Sequence, residues 1–274
     1  MSRTTIVGRL RGERRSKRRG FSTEFADYRD YVPGDDLRYL DWNIYGRLER
    51  LFVKLFHEEE DLTVSILVDV SASMAHGTPE KLRYAKQVAA ALSYIALTAE
   101  DRVGVFPFDS DLRTPFMPVR GKRNVRRLFQ FLEDLEPGEE TDINKALRTF
   151  SLAHGRRGMV IVISDLLDPL GFEDAFRSLA GVRSERFLIH VLSPEEIEPP
   201  VTGDLRLVDC EDGAVAEISV NRALLQTYRD TVAGFKQAIR ERSSRAGIAP
   251  LFASTATPFE QLVLGYLRSR GVLR

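Results

Sequence analysis

The sequence predicts an α/β protein with a doubly wound, mostly parallel sheet flanked by helices and an N-terminal accessory segment. Two observations lead to this prediction. Short apolar runs typical of buried strands occur at 63–70, 102–109, 158–165 and 186–193. Helical patterns separate most of these runs, and strands that alternate with helices are typical of βαβ units, in which helices cover both faces of the sheet.

The remaining elements follow in order along the chain. Alternation of Leu51, Val53 and Leu55 predicts a strand at 50–57. Helices are expected at 79–100, 124–135, 142–154, 171–180, 221–245 and 258–270, with a hairpin at 205–220 and a last strand at 249–254. Pro79 fits the first turn of the long helix 79–100, where its missing N–H removes no hydrogen bond.

Composition excludes several classes of protein. The 274 residues suffice for one large domain, or one domain with an appendage. The charges of the 40 basic and 40 acidic residues cancel, which excludes an electrostatic field of the whole molecule that would drive binding to nucleic acid or membranes. Cys210 is the single cysteine, so an internal disulfide is impossible and a reducing compartment fits. The longest uncharged stretches, 87–99 and 246–259, fall short of the ~20 residues of a membrane span, and we expect a cytoplasmic protein.

The first 60 residues differ in character from residues 61–274, and we expect them to form a basic arm and accessory segment before the α/β domain. Residues 1–20 hold eight basic side chains and one acidic, a net charge of +7. The arm either folds back on the acidic remainder or binds an acidic partner. Nucleic acid is not expected as a partner, because no aromatic residue lies among these charges. In the rest of the segment we expect paired charges, with Tyr31 and Trp42 as packing anchors.

Oxygen-bearing side chains cluster where the predicted strands end. Asp69, Ser71 and Ser73 occupy alternate positions after the first buried run, so their side chains are expected to point the same way. Asp165 follows a later run, and Thr141 lies in a loop before a helix. Ligands in such sheets bind at the carboxyl ends of the strands. Carboxylate and hydroxyl oxygens without His or Cys suit Mg²⁺, with Mn²⁺ or Ca²⁺ as alternatives.

This pattern resembles the metal-ion-dependent adhesion site of von Willebrand factor A domains. The resemblance assigns Asp69, Ser71 and Ser73 to the first motif of that site, Thr141 to the second and Asp165 to the third. It implies that Mg²⁺ keeps one coordination position open and that an acidic residue of a partner protein fills it.

Other interpretations of the same residues stay open. Ser71 or Ser73 could instead cap the turn that follows the strand. We expect Asp142 to cap a helix rather than bind metal, and Asp168 to belong to a turn with Pro169. A further basic cluster at 120–127 would favour an acidic partner if it lay beside the metal edge.

A long run in the accessory segment resembles the signature of the bacterial proteins called domain of unknown function 58. The resemblance is carried by residues 24–38, Asp41-Trp42-Asn43, Arg47, Lys54 and Glu58. It implies an accessory block before a von Willebrand A-like domain, and a MoxR-type AAA+ ATPase as partner in the maturation or assembly of other proteins. The block is then either charge-paired packing or a docking surface for that ATPase.

An enzyme is the second class that we consider, namely a metal-dependent hydrolase or phosphatase that uses Asp69 and Asp165. The chain has no Gly-x-x-x-x-Gly-Lys-Ser/Thr loop, no Gly-x-Gly-x-x-Gly fingerprint and no Gly-x-Ser-x-Gly elbow. Ser71 stands where an aspartate phosphotransferase would carry its general acid. The sequence therefore favours a metal-dependent binding module over a catalyst.

Overall fold

The computed structural model describes residues 15–19, 25–59, 62–138, 141–155, 157–201, 203–208 and 215–269. These residues divide into two compact units, one before residue 61 and one from Leu62 to Ser269. Each unit is described by itself below.

The N-terminal unit is a small antiparallel sheet with one short helix. Its elements are β1 (Arg15–Arg19), β2 (Phe25–Asp30), α1 (Trp42–Leu48) and β3 (Phe52–Glu59), and the strand order is β1-β3-β2. The strand expected at 50–57 is present as β3, shifted by two residues. Between β2 and α1, Asp35 N donates to Val32 O at 3.0 Å, and Gly34 has φ 106°, as a type II turn over Pro33-Gly34 requires.

Asp41 organises the centre of this unit. One of its oxygens accepts from the backbone N–H groups of Asn43 and Ile44 at 2.9 and 3.1 Å, which caps α1. The other lies 2.9 Å from Lys54 Nζ and accepts from the Tyr28 hydroxyl at 3.1 Å. The hydrogen bond from Lys54 is the main reason that the pKa of Asp41 is lowered to about 2. A single carboxylate thus joins α1, β2 and β3.

Other charged residues of the unit pair as expected. Arg29 pairs with Asp35, Arg38 with Asp36, and Arg50 with Asp30. The expectation that Trp42 is a packing anchor is wrong, because its side chain is 64% exposed and its ring contact is with Tyr45 on the next turn of α1.

The larger unit confirms the predicted α/β architecture. A six-stranded sheet has the order β11-β8-β7-β4-β5-β6, and every neighbouring pair is parallel except β5 with β6. Its strands are β4 (Thr63–Asp69), β5 (Arg102–Phe108), β6 (Phe116–Arg120), β7 (Gly158–Ser164), β8 (Ser184–Leu192) and β11 (Ile248–Ser254). A separate antiparallel hairpin joins β9 (Gly203–Val208) and β10 (Val215–Val220), and its predicted turn and Cys210 lie outside the described residues.

Helices cover the sheet in two layers. The helices are α2 (Lys81–Thr98), α3 (Val125–Glu133), α4 (Ile143–Ala153), α5 (Glu173–Ala180), α6 (Pro194–Ile197), α7 (Arg222–Ala246) and α8 (Phe259–Ser269). Leu67 packs in one apolar cluster with residues of α4, α5 and α7. Ile66 and Val68 point to the opposite face, since side chains alternate along a strand, and α2 packs against β4 and contacts α3 and α8. Both faces of the central strands are therefore dry.

The start of α2 and the strand β6 differ from the expectations. The long helix α2 begins at Lys81 rather than Pro79, and Lys81 N donates to the carbonyl of His76 at 3.1 Å, which closes a turn ahead of the helix. Strand β6 was not expected. It contains Pro118, which breaks the usual strand pattern but is tolerated because β6 is an edge strand that needs few backbone donors.

Across the described ranges, no helix has both the length and the apolar character needed to cross a bilayer.

Replacing Asp41 with Asn is expected to destabilise the N-terminal unit at neutral pH. Asn still caps α1 but loses the charge that pairs with Lys54. Because the folded pKa of Asp41 is about 2, below that of an unfolded aspartate, the stability it adds is present above pH ~4 and is lost as the pH falls towards 2. The difference between wild type and Asp41→Asn should shrink over that range in denaturant unfolding monitored by fluorescence of Trp42, the single tryptophan. The exposed Asp27→Asn variant is the control, and a difference that does not depend on pH would contradict this account.

Gly158→Ala is expected to destabilise the larger unit. A Cβ at Gly158 would lie 2.1 Å from the carbonyl oxygen of Thr63 on β4, and φ is 152°. The free energy of unfolding in urea, measured by far-UV circular dichroism, should fall by at least about 1 kcal/mol. Gly234→Ala is the control, because no atom within 4 Å meets a Cβ at this position in α7, and it should raise stability by about 0.5–1 kcal/mol. Equal stability of both variants would contradict the close approach of β4 and β7.

Candidate functional site

The carboxyl ends of β4 and β7 lie side by side at one edge of the sheet. The two strands pair in parallel register up to Val68 and Ile163, so Asp69 and Ser164 are neighbours just beyond that pair. The Ser164 hydroxyl donates to Asp69 Oδ2 at 2.5 Å, and Ser164 is fully buried. This edge is where ligands bind in open α/β sheets.

Asp69, Ser71 and Ser73 converge as their alternate spacing predicts. The backbone N–H and the hydroxyl of Ser71 donate to Asp69 Oδ1 at 3.0 and 2.6 Å, and the hydroxyls of Ser71 and Ser73 are 3.1 Å apart. All three residues are buried. Ser71 stands at the start of a short 3₁₀ turn but makes no capping hydrogen bond with its side chain. The capping interpretation of Ser71 therefore fails.

The carboxyl group of Asp69 is held away from water. Burial, and then the nearby charge of Asp165, raise its pKa above the usual range, while hydrogen bonds from Ser164 and Ser71 oppose the rise. The donors described for this carboxylate are two hydroxyls and one amide, all of them neutral. Its negative charge is consequently solvated by dipoles rather than balanced by a neighbouring cation.

Asp165 has a different environment. Its Oδ2 lies 2.6 Å from Lys81 Nζ, and its Oδ1 accepts from the backbone N–H of Leu167 at 3.1 Å. The side chains of Lys81 and Asp165 are 0% and 1% exposed. Lys81 also pairs with Glu196 of α6. Burial disfavours the charged lysine, but Asp165 and Glu196 outweigh it and raise the pKa of Lys81, so the ammonium stays protonated.

The imidazole of His190, on β8, is hydrogen-bonded to the backbone of Asp165. The ring Nε2 lies 2.9 Å from the carbonyl oxygen of Asp165, and since a carbonyl can only accept, Nε2 carries the proton. Burial lowers the pKa of His190 to about 4, although Asp165 opposes this shift. The imidazole is therefore neutral at physiological pH.

Thr141 lies in a loop that is tied to the same edge of the sheet. Gly138 N donates to the carbonyl of Val70 at 2.5 Å, and Asp142 N donates to the carbonyl of Asp109 at 3.1 Å, just beyond β4 and β5. The hydroxyl oxygen of Thr141 is buried and has no hydrogen-bond partner among the described residues. Four other described hydroxyls are also buried without a partner, so Thr141 stands out by this state together with its loop's attachment beside Asp69.

Two further carboxylates have structural roles. Asp142 caps α4, as expected, by accepting from Lys145 N at 2.8 Å. Asp168 forms the expected turn, in which Leu170 N donates to its side chain at 2.7 Å and Gly171 N to its carbonyl at 2.9 Å. Asp168 also accepts from Ile143 N at 2.8 Å, and this contact joins the turn to the start of α4.

Four residues of this edge were not predicted from the sequence: Lys81, Ser164, His190 and Glu196. Lys81 resembles an ordinary charged residue in the first turn of a helix, and Glu196 follows Ser193 in a capping box. No local pattern indicates that Lys81 contacts Asp165 or that Glu196 contacts Lys81. The single available signal was that α2 is apolar enough to be enclosed, which makes a charge at its start a candidate for burial.

The basic cluster at 120–127 does not lie beside this site. In the antiparallel register of β5 and β6, the backbone of Arg120 lies opposite that of Arg102, the first residue of β5. Arg120 is therefore at the amino edge of the sheet. This cluster therefore does not lie where it would assist an acidic partner at the candidate metal site.

The described part of the chain contains no group of three or more His, Cys, Asp and Glu side chains placed to hold a metal. A cation at this edge would depend on hydroxyl oxygens together with the carboxylates. Such hard, mostly neutral donors fit Mg²⁺ better than Zn²⁺ or copper.

Curated relatives of this chain carry no assigned activity in their names. It is 29% identical to "Uncharacterized protein Rv1480" of Mycobacterium tuberculosis over 253 residues, which cover 90% of this chain and 79% of the relative. It is 26% identical to "Uncharacterized protein MAV169" of Mycobacterium avium over 133 residues, covering 48% of this chain and 78% of the relative.

Solved structures with a similar arrangement share low sequence identity with this chain. The conserved hypothetical protein BatB from Bacteroides thetaiotaomicron is 20% identical with a TM-score of 0.48, covering 77% of this chain and 98% of that chain. The vWF domain of the type V pili tip protein Mfa5 from Porphyromonas gingivalis is 17% identical with a TM-score of 0.34, covering 39% and 38%.

The family description "Protein of unknown function DUF58" matches residues 27–238, which include most of β2 and all of α1 and β3 of the accessory segment, together with Asp69 and Asp165. This confirms the resemblance carried by residues 24–58. The chain belongs to the family described as protein of unknown function DUF58.

Proposed function

We propose that this chain is a divalent-metal-dependent protein–protein interaction module. Mg²⁺ would be held by oxygens of Asp69, Ser71, Ser73 and Thr141, with Asp165 as the second carboxylate of the site. The observation that carries the proposal is the buried Thr141 hydroxyl without a partner, in a loop tied to the same edge as the oxygen cluster around Asp69. The von Willebrand A-like pattern of these five residues supports the same assignment.

The chemistry of the residues fits this ion. Asp69 is a buried carboxylate whose described donors are neutral, so a cation would relieve the cost of its charge. The hydroxyls of Ser71 and Ser73 are already 3.1 Å apart and can turn their lone pairs outward. Mn²⁺ and Ca²⁺ are alternatives, since both accept the same oxygen ligands.

When bound, the metal supplies a positive charge that attracts a carboxylate of a partner protein. The chain's own residues make this attraction strong, because Val70, Met74 and Phe108 around the cluster are fully buried and exclude water. A partner would therefore be recognised by an acidic side chain placed at the carboxyl edge.

The family resemblance supports a MoxR-type AAA+ ATPase as the partner, in the maturation or assembly of other proteins. The single cysteine is compatible with the cytoplasm as the compartment. We propose a chaperone-like role in which this chain binds proteins and the ATPase supplies the energy.

Mg²⁺ is expected to bind wild type and to raise its melting temperature. At a concentration of 100 times its dissociation constant, the ion should stabilise the fold by about 2.7 kcal/mol. Asp69→Asn should weaken binding by at least about 100-fold, the upper end of what loss of an outer-shell partner costs. In EDTA the variant should be no less stable than wild type, since a neutral amide replaces a buried charge. Calorimetric titration and thermal unfolding measure these effects.

Asp142→Asn is the matched control for that experiment. Asn caps helices as well as Asp does, so α4 keeps its start. Because Asp142 is assigned to capping, its replacement should leave Mg²⁺ affinity unchanged. Equal Mg²⁺ affinity of wild type and Asp69→Asn would refute the proposed metal site.

Partner binding should depend on the same site. The ATPase expressed from the same genome is expected to bind immobilised wild type in Mg²⁺, and binding should be lost in EDTA and with Asp69→Asn. Binding that survives both treatments would instead place the interface elsewhere. Metal-dependent ester or phosphoester turnover that is lost in Asp69→Asn would favour the hydrolase alternative.

A further inference from the structure

A buried lysine lies between two carboxylates beside the candidate metal site. Lys81 Nζ is 2.6 Å from Asp165 Oδ2 and also pairs with Glu196. The Lys81 side chain is completely buried, and that of Glu196 is 26% exposed. Removing such ions from water costs several kcal/mol for each ion, so a packing role alone would be met more cheaply by an apolar residue. This arrangement calls for a role of the charge itself.

The lysine is held in a fixed frame rather than in a mobile surface pair. Its backbone N–H, at the start of α2, donates to the carbonyl oxygen of His76. The Glu196 carboxylate that it contacts is anchored by its second oxygen, which accepts from Ser193 N at 2.8 Å. Ser193 in turn packs against Gly77, where a Cβ would lie 2.5 Å from the Ser193 Cβ. The position of the ammonium is therefore set by two neighbouring backbone segments.

The lysine changes what Asp165 can do. Both oxygens of Asp165 already have protein donors, the Lys81 ammonium and the N–H of Leu167. Asp69, by contrast, has only neutral donors among its described contacts. The two carboxylates of the site are thus unequal, one balanced by an internal cation and the other not.

We propose that Lys81 is a positioning residue that competes with the metal for Asp165 and leaves Asp69 as the one carboxylate directly bound to the ion. The inference rests on the proposed function. A divalent ion balanced by one carboxylate keeps a net positive charge, so the anionic group still missing must come from outside the chain. Lys81 thereby lowers affinity for the metal alone and makes metal and partner carboxylate bind cooperatively.

The test compares wild type with Lys81→Met/Glu196→Gln. The double variant keeps the net charge of the group formed by Lys81, Asp165 and Glu196, and it leaves Asp165 without the ammonium that pairs with it. Mg²⁺ should bind to it at least about tenfold more tightly in calorimetric titration. Removing an outer-shell partner of a metal ligand changes metal affinity by a similar factor, although in that case the affinity falls. Its melting temperature in EDTA should fall and should recover in Mg²⁺. A merely structural role for Lys81 would not raise the affinity.

Lys81→Met/Asp165→Asn is the matched control, because it removes both members of the ion pair. If Asp165 is not a direct ligand, Mg²⁺ affinity should stay within about threefold of wild type, a change of less than 1 kcal/mol. A loss of Mg²⁺ binding in this variant would show that Asp165 is a ligand and would overturn the inference.

Glu196→Gln keeps the test decisive even if the double variants do not fold, since Glu196 is partly exposed. With Lys81 left to Asp165 alone, Mg²⁺ should bind more weakly than in Glu195→Gln, which removes the same charge one residue away. Equal affinities of Glu196→Gln and Glu195→Gln, or no gain in Lys81→Met/Glu196→Gln, would overturn the inference while wild-type binding through Asp69 still stands. Absence of Mg²⁺ binding by wild type would overturn the proposed function and this inference with it.

Discussion

In-register parallel pairing of β4 with β7 is the constraint on which the rest of the carboxyl edge depends. Because the two strands end together, it brings Asp69 next to Ser164 and Asp165 at a place from which water is excluded. Two carboxylates in low dielectric repel each other and cost free energy unless each is stabilised. The chain stabilises them differently, with hydroxyl and amide donors for Asp69 and with the Lys81 ammonium for Asp165.

The packing of the sheet explains why these charges can be placed so accurately. The central strands are apolar on both faces, and the layers of helices on each side leave little freedom for the strand ends. Helix α2 has two functions in this arrangement. Its apolar turns cover β4 and β5, and its first residue, Lys81, delivers a charge to Asp165. The burial of α2 and the burial of the Lys81–Asp165 ion pair therefore depend on the same packing.

The fold was largely predictable, and the candidate site only in part. Apolar runs predict buried strands because both faces are covered, and alternation predicts the convergence of Asp69, Ser71 and Ser73. The partners of Asp165 were not predictable, because Lys81 lies 84 residues away in the sequence and nothing local marks it for burial. The accessory strands β1 and β2 and helix α1 were also not predicted. Their residues show neither the alternation of a strand nor the repeat of an amphipathic helix, and these elements depend on contacts such as those of Asp41.

The separation of the site residues along the chain has a consequence for biosynthesis. Asp69 is made 95 residues before Ser164, its hydrogen-bond partner, and Glu196 follows Lys81 by 115 residues. Contacts so distant in sequence form late, after the loops between them have closed. A nascent chain therefore emerges with Asp69 exposed at the end of β4, before the later residues of the proposed ion site have been made. The proposed ion site would be complete only once synthesis has passed β7, which supplies Ser164 beside Asp69, so an ion would not serve as an early template for folding of this protein.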